Sequence, residues 1–164
     1  KAGFVDSGNN KTVRLSLTAS YFQGQPVAGG AVEWFYRSRE AGFYPDHFRD
    51  FLFCDHREYN AYYWSHYFGY GEGSYRRSFG TREGTATLDQ DGFASLTFDL
   101  AEIDFPAPRT VSVTSEIRDQ RNQTLSADAT TTVHGSDYYV GISRLDKLVR
   151  VGDEVELRTV AVVY

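Results

Sequence analysis

The sequence predicts an all-β fold, an antiparallel β-sandwich, from three observations. Apolar residues alternate with polar ones at a period of two along most of the chain, the mark of strands with one buried face. Clusters of Gly, Pro, Asp and Asn recur between the alternating runs and punctuate them as turns. Helical spacing of apolar residues is almost absent.

The elements follow in order. Val13, Leu15, Leu17, Ala19 and Tyr21 share one side of a first strand, which Gly24-Gln25-Pro26 closes as a turn. Val32, Trp34 and Tyr36 define a second strand. A long aromatic-rich insertion then occupies about 38–80. Beyond it, Ala86 and Leu88 run into Asp89-Gln90-Asp91-Gly92, and Ala94, Leu96, Phe98 and Leu100 alternate on the far side, which predicts a hairpin because Asp-Gly accepts the positive φ of a tight turn. Val111, Val113, Ser115 and Ile117 form another strand, Asp119-Gln120-Arg121-Asn122 a turn, and Leu125, Ala127, Ala129, Thr131 and Val133 the neighbouring strand. Residues 136–148 read as a connection, Val149 to Leu157 as a fresh strand, and Val160 to Tyr164 as the middle of a strand.

Domain organisation follows from these elements. Residues 1–135 are expected to be one sandwich carrying the insertion, and 136–164 a linker and the first strand of a following domain. The chain reads as a piece of a longer protein. A strand whose sheet is incomplete exposes its edge, so a strand-exchanged dimer of this chain is expected.

Composition narrows the function. With 17 Lys and Arg against 22 Asp and Glu, the 164 residues carry a net charge of −5. That disfavours nucleic acid as a partner, since affinity for phosphates comes from clustered cations. Cys54 is the single cysteine, so neither an internal disulfide nor a zinc framework built on several cysteines is available. No apolar run reaches the roughly 18 residues of a membrane-spanning helix.

The insertion concentrates the chemistry. From Trp34 to Phe79 the chain holds 17 of its 26 aromatic residues. Asp46 to Phe53 reads equally as a short helix or a strand. His47, Cys54, His56 and His66 stand there with Asp46, Asp50 and Asp55, which are ligand types that zinc uses, yet their spacing matches no standard site. Ser65-His66 lacks a nucleophile elbow, and no two carboxylates are marked as an acid and base pair. Gly69-Tyr70-Gly71-Glu72-Gly73-Ser74 lacks the Lys of a phosphate loop. No enzyme activity, metal or cofactor is expected. Asn10-Lys11-Thr12 and Asn122-Gln123-Thr124 fit the glycosylation triplet, relevant only after passage through a eukaryotic secretory pathway. Tyr62, Tyr63, Trp64, Tyr67, Phe68 and Tyr70 are the candidate contact surface, because Tyr and Trp bury large area at low entropic cost. A secondary core beneath the insertion is the competing reading of the same residues.

Ala19-Ser20-Tyr21-Phe22-Gln23-Gly24-Gln25-Pro26-Val27 with Val32-Glu33-Trp34 resembles the opening of a macroglobulin-like domain from bacterial alpha-2-macroglobulins. Leu88-Asp89-Gln90-Asp91-Gly92, Ser115-Glu116-Ile117-Arg118-Asp119, Gln123-Thr124-Leu125-Ser126, Val133-His134 and Tyr139-Val140-Gly141-Ile142 are similar to later stretches of that domain. Val151-Gly152-Asp153-Glu154-Val155 resembles the first strand of the next one. Gly30 departs from the pattern, standing where a small alanine-like residue is expected. The resemblance implies a macroglobulin- or fibronectin-III-like sandwich, acting as a non-catalytic structural module of a protease inhibitor that traps proteases after bait cleavage. It further implies a periplasmic or cell-envelope location and a role in bacterial defence. The implied partners are neighbouring macroglobulin-like domains, target proteases through the full-length protein, and a peptidoglycan-synthesis enzyme. The thioester of many family members does not carry over, since Asp55-His56-Arg57 follows Cys54. The density of Tyr and Trp supports an alternative, a carbohydrate-binding β-sandwich of a cell-surface protein.

Overall fold

A computed structural model describes residues 1–5, 12–53, 78–100, 107–144 and 150–163. Its strands are β1 (Ala2–Val5), β2 (Thr12–Thr18), β3 (Ala31–Glu40), β4 (Phe51–Leu52), β5 (Ser78–Thr87), β6 (Phe93–Asp99), β7 (Arg109–Arg118), β8 (Thr124–Val133), β9 (Tyr138–Ser143) and β10 (Thr159–Val163). The single helical element among the described residues is a 3-10 turn, Asp46–Phe48. All strand pairs are antiparallel, and the chain divides into two compact units.

The first unit, Lys1–Glu40 with Ser78–Gly135, is a two-sheet sandwich. One sheet has the order β1-β2-β6 and the other β5-β3-β7-β8. Alternation sets the inward faces: Val13, Leu15 and Leu17 from β2, Ala94 and Phe98 from β6, Val32 and Tyr36 from β3, and Val111, Val113 and Ile117 from β7 form one core. Leu15 and Leu17 are 0% exposed, and each such burial stabilises by about 1.5–3 kcal/mol. Phe98 stacks on Tyr36 with ring centroids 4.8 Å apart and meets Trp34 edge-on at 5.2 Å. Trp34 faces Gly84 across the β3–β5 pair, and a Cβ there would come within 2.5 Å of the indole. Gly30 is tight to a lesser degree, since a Cβ would lie 3.1 Å from Val27 and 3.2 Å from Leu88. Thus the position expected to hold an alanine-like residue has little room for one.

The turn at 89–92 forms, but it does not make a hairpin. Asp89 Oδ1 accepts the N–H groups of Asp91 and Phe93, both at 2.9 Å, and Gly92 takes a φ of +71°. The strands on either side belong to opposite sheets, β5 beside β3 and β6 beside β2. Leu88 exchanges backbone hydrogen bonds with Gly29 and Gly30, while Ala19 N–H donates to the Gly92 carbonyl. Those partners pull the two strands apart, so the turn is a sandwich corner. The turn after β7 does close a hairpin: Ile117 faces Leu125, and Asn122 supplies the positive φ of +60°. Two further differences concern β1, a strand that pairs with β2 and that the alternation does not predict, and the strand expected to run from Val13, which ends at Thr18 rather than Tyr21.

The second unit, Ala41–Arg77 with Ser136–Tyr164, contains a sheet of order β10-β9-β4. The 46–53 stretch is neither wholly helix nor wholly strand, being a 3-10 turn followed by the two-residue β4. The stretch expected to be a connection holds β9. Conversely, the described part of 149–157 contains no strand: Gly152 adopts a φ of +99°, and Asp153 Oδ2 accepts the Arg150 N–H at 2.8 Å. This turn breaks the alternation, and the strand falls later, at β10.

Candidate functional site

The candidate contact residues Tyr62, Tyr63, Trp64, Tyr67, Phe68 and Tyr70 lie outside the described residues. So do Asn10, Cys54, Asp55, His56, Ser65, His66 and the 69–74 glycine loop. Of the aromatic segment, 34–53 and 78–79 are described, and there several phenylalanines pack together while Tyr44 stays 68% exposed. Phe43 lies 4.4 Å from Tyr139 of β9 and 5.3 Å from Phe53, and Phe48 meets Phe51 and Phe53 edge-on at 6.1 and 6.5 Å. Gly141 makes room for this cluster, since a Cβ would sit 2.7 Å from the Phe53 ring. Phe43, Phe48, Phe51 and Phe53 are each half-buried and form a small aromatic cluster in the second unit. His47 lies beside an exposed Asp46–Arg49 pair at 3.5 Å. Among the described residues no group of three or more His, Cys, Asp or Glu is placed to hold a metal.

The described residues of the first unit line several surfaces and cavities. At one end of the sandwich, a groove of about 350 Å³ is lined by Tyr21, Phe22, Val27, Ile117, Asp119 and Leu125, among others. Phe22 stands fully exposed at its rim. The floor carries a polar pair the sequence spacing does not reveal: the Tyr21 hydroxyl donates to Asp119 Oδ2 at 3.0 Å across 98 residues of chain. Asp119 Oδ1 accepts the N–H groups of Arg121 and Gln123, both at 2.8 Å. These bonds, the Gln123 N–H foremost, hold the Asp119 carboxyl below its ordinary range, while the bond to that carboxylate raises the Tyr21 hydroxyl. A carboxylate so committed braces a turn and makes a poor general base.

On the outer face of β5-β3-β7, Glu33, Phe35, Glu83, Thr85, Thr114 and Glu116 line an open groove of about 480 Å³. Glu33 faces Glu116 directly, a like-charge pairing that costs stability. Glu116 is joined by Arg118 at 3.8 Å.

The third feature is interior. Arg109, 7% exposed, donates to the Leu100 carbonyl at 3.0 Å, and its guanidinium lies 4.8 Å from the Phe79 ring centre. Tyr36, Ser38, Arg82 and Asp99 complete the lining of a cavity of about 10 Å³, the size of a single water. Nothing larger fits, so this cluster is structural. His134 has its pKa lowered by burial, and no nucleophile, base and orienting group converge among the described residues.

The arrangement defines a class: an antiparallel two-sheet domain whose described polar clusters brace turns and sheet ends. Neither a protein-family model nor a curated protein matches the sequence. Solved structures do match its shape. Trypsin-activated alpha-2-macroglobulin from Escherichia coli superposes with a TM-score of 0.60 at 16% identity, over 87% of this chain and 9% of that one. Salmonella alpha-2-macroglobulin reacted with methylamine gives 0.60 at 15% identity, over 87% and 8%. Escherichia coli alpha-2-macroglobulin activated by porcine elastase gives 0.60 at 16%, over 87% and 12%. The chain therefore has a macroglobulin-like β fold and spans about a tenth of the length of the proteins it resembles.

Proposed function

We propose that this chain is a non-catalytic structural module of a bacterial alpha-2-macroglobulin-like protein that traps proteases after bait cleavage. The observation that carries the reading is the likeness, over 87% of the chain, to alpha-2-macroglobulins in trypsin-activated and elastase-activated forms. The sandwich supplies rigidity: its two sheets close over one apolar core, and the Asp119 carboxylate is committed to bracing a turn. Such a module holds the bait and capture regions of its parent at defined positions, and switching after cleavage resides in contacts between domains. We place the module at 1–135, with the following macroglobulin-like domain beginning within 136–164. Tyr62, Tyr63, Trp64, Tyr67, Phe68 and Tyr70 are proposed as a contact surface for a neighbouring domain. The proposed setting is the periplasm or cell envelope, with target proteases and a peptidoglycan-synthesis enzyme as partners of the whole protein.

The test is an immunoblot of fractionated source cells with an antibody against this chain, before and after a brief protease challenge. A periplasmic band far larger than 18.6 kDa, cut once into stable pieces, is the expected result. A small or cytoplasmic band, or one without a discrete cut, overturns the reading. The carbohydrate-binding alternative rests on the aromatic density of the insertion. It requires a saturable tryptophan-fluorescence response to oligosaccharides that Trp64→Ala abolishes.

A further inference from the structure

Where β3, β5 and β7 meet at one end of the first unit, a buried hydroxyl has no hydrogen-bond partner among the described residues. Ser38 of β3 is 1% exposed, and it is its Oγ that stands unpaired. A hydroxyl can donate one hydrogen bond and accept two, and leaving it unpaired in the interior is costly. Ser38 lines the cavity of about 10 Å³ beside Arg109, which is room for one water.

The strands build this cavity from polar groups. Arg109 of β7, 7% exposed, gives a guanidinium N–H to the Leu100 carbonyl at 3.0 Å. A guanidinium carries five N–H groups, enough to serve that carbonyl and other acceptors together. Arg82 and Asp99 also line the cavity and are exposed, which gives solvent a way in.

β5 departs from regular pairing to complete the lining. Ser38 pairs with Gly80 and Arg39 with Ser78, so Phe79 stands opposite no residue of β3, the mark of a bulge. Strict alternation would turn Phe79 to the outer face with Thr81. The bulge re-aims it, and its ring lies 4.8 Å from the guanidinium of the buried Arg109. Gly80 takes a φ of +114° at this irregularity.

We propose that the cavity is a site for one internal water, hydrogen-bonded to Ser38 Oγ and to at least one charged group of the lining. Size and polarity set the ligand. A space this small admits neither an organic molecule nor a hydrated ion, and a lining of hydroxyl, guanidinium and carboxylate groups supplies the two to four partners that an internal water needs. The water satisfies the one hydroxyl that the protein itself leaves unpaired at this end of the core. The proposal stands on the sandwich alone and is independent of the protease-trap reading.

A crystal structure of the intact chain tests it without any substitution. Density for one water within about 3 Å of Ser38 Oγ is the expected result. A dry cavity, or a Ser38 Oγ bonded directly to another group of the protein, overturns the proposal. Oxygen-17 relaxation dispersion reads the same site in solution, by counting the waters held longer than the molecule takes to tumble. Ser38→Val removes the hydroxyl and fills the space with methyl groups, so it should lower that count by one. An equal count in the parent and the variant would also overturn the proposal, and if Ser38→Val does not fold, the density at Ser38 in the parent decides alone.

Discussion

The two units bury their hydrophobic residues in different ways. In the first, two sheets face one another across aliphatic side chains, and Leu15, Leu17, Val32, Val111 and Val113 have no exposed surface. In the described part of the second, one sheet face is covered by phenylalanines while the other presents Tyr138, Val140 and Ile142 to solvent. The two-sheet sandwich packs its inward faces densely, so truncation of a single core side chain is felt throughout it. In the described part of the second unit the sheet rests on a few rings and leaves its other face exposed. The difference separates a closed two-sheet core from a sheet face that the described residues leave open.

Substitutions sharpen the contrast. The largest effect is expected from Leu15→Ala or Leu17→Ala, each costing about 2–5 kcal/mol in urea denaturation of the first unit. A loss below about 1 kcal/mol would show that the two sheets are not tightly packed. Phe53→Ala should cost about 2 kcal/mol in the second unit, read from protection of β9 amides, and leave protection of β2 and β7 unchanged. Gly92→Ala should cost upward of about 1 kcal/mol, because a Cβ at φ +71° would lie 2.4 Å from the Ala19 carbonyl. A neutral result would mean that the sandwich corner is loose.

The smallest effects concern the Tyr21–Asp119 brace. The folded pKa of Asp119 lies below the ordinary value of about 4, so its contribution is complete above that value and is lost as pH falls through the lowered one. The Tyr21 hydroxyl is raised above about 10, so its contribution is present below that and is lost as pH rises through the folded value. Melting temperature followed from neutral to acid pH should therefore fall less steeply in Asp119→Asn than in the parent. Parallel curves would remove the brace from the stability of the fold.

Much of the first unit was legible in the sequence because its cause is local. Val13-Leu15-Leu17 and Val111-Val113-Ile117 are half-buried strands by alternation alone, and Asp119 to Asn122 contains its own turn chemistry. Partnership was not legible. Asp89 to Gly92 announces a turn, but whether β6 returns along β5 or crosses to β2 depends on Gly30 and Ala19, some 60–70 residues away. The strand at 138–143 is hidden in the sequence because Gly141, which interrupts its pattern, is there to admit Phe53 from a different part of the chain. The Tyr21–Asp119 pair likewise joins residues 98 apart, beyond any spacing rule. The candidate contact residues at 62–70 lie outside the described residues.

Native-state hydrogen exchange of the intact chain measures the difference between the units most directly. Amides of β2, β3, β6 and β7 are expected to exchange only through global unfolding of the sandwich, and those of β9 and β10 at a distinctly lower opening free energy. Equal protection of β9, β10 and the sandwich strands, released together in one transition, would contradict it.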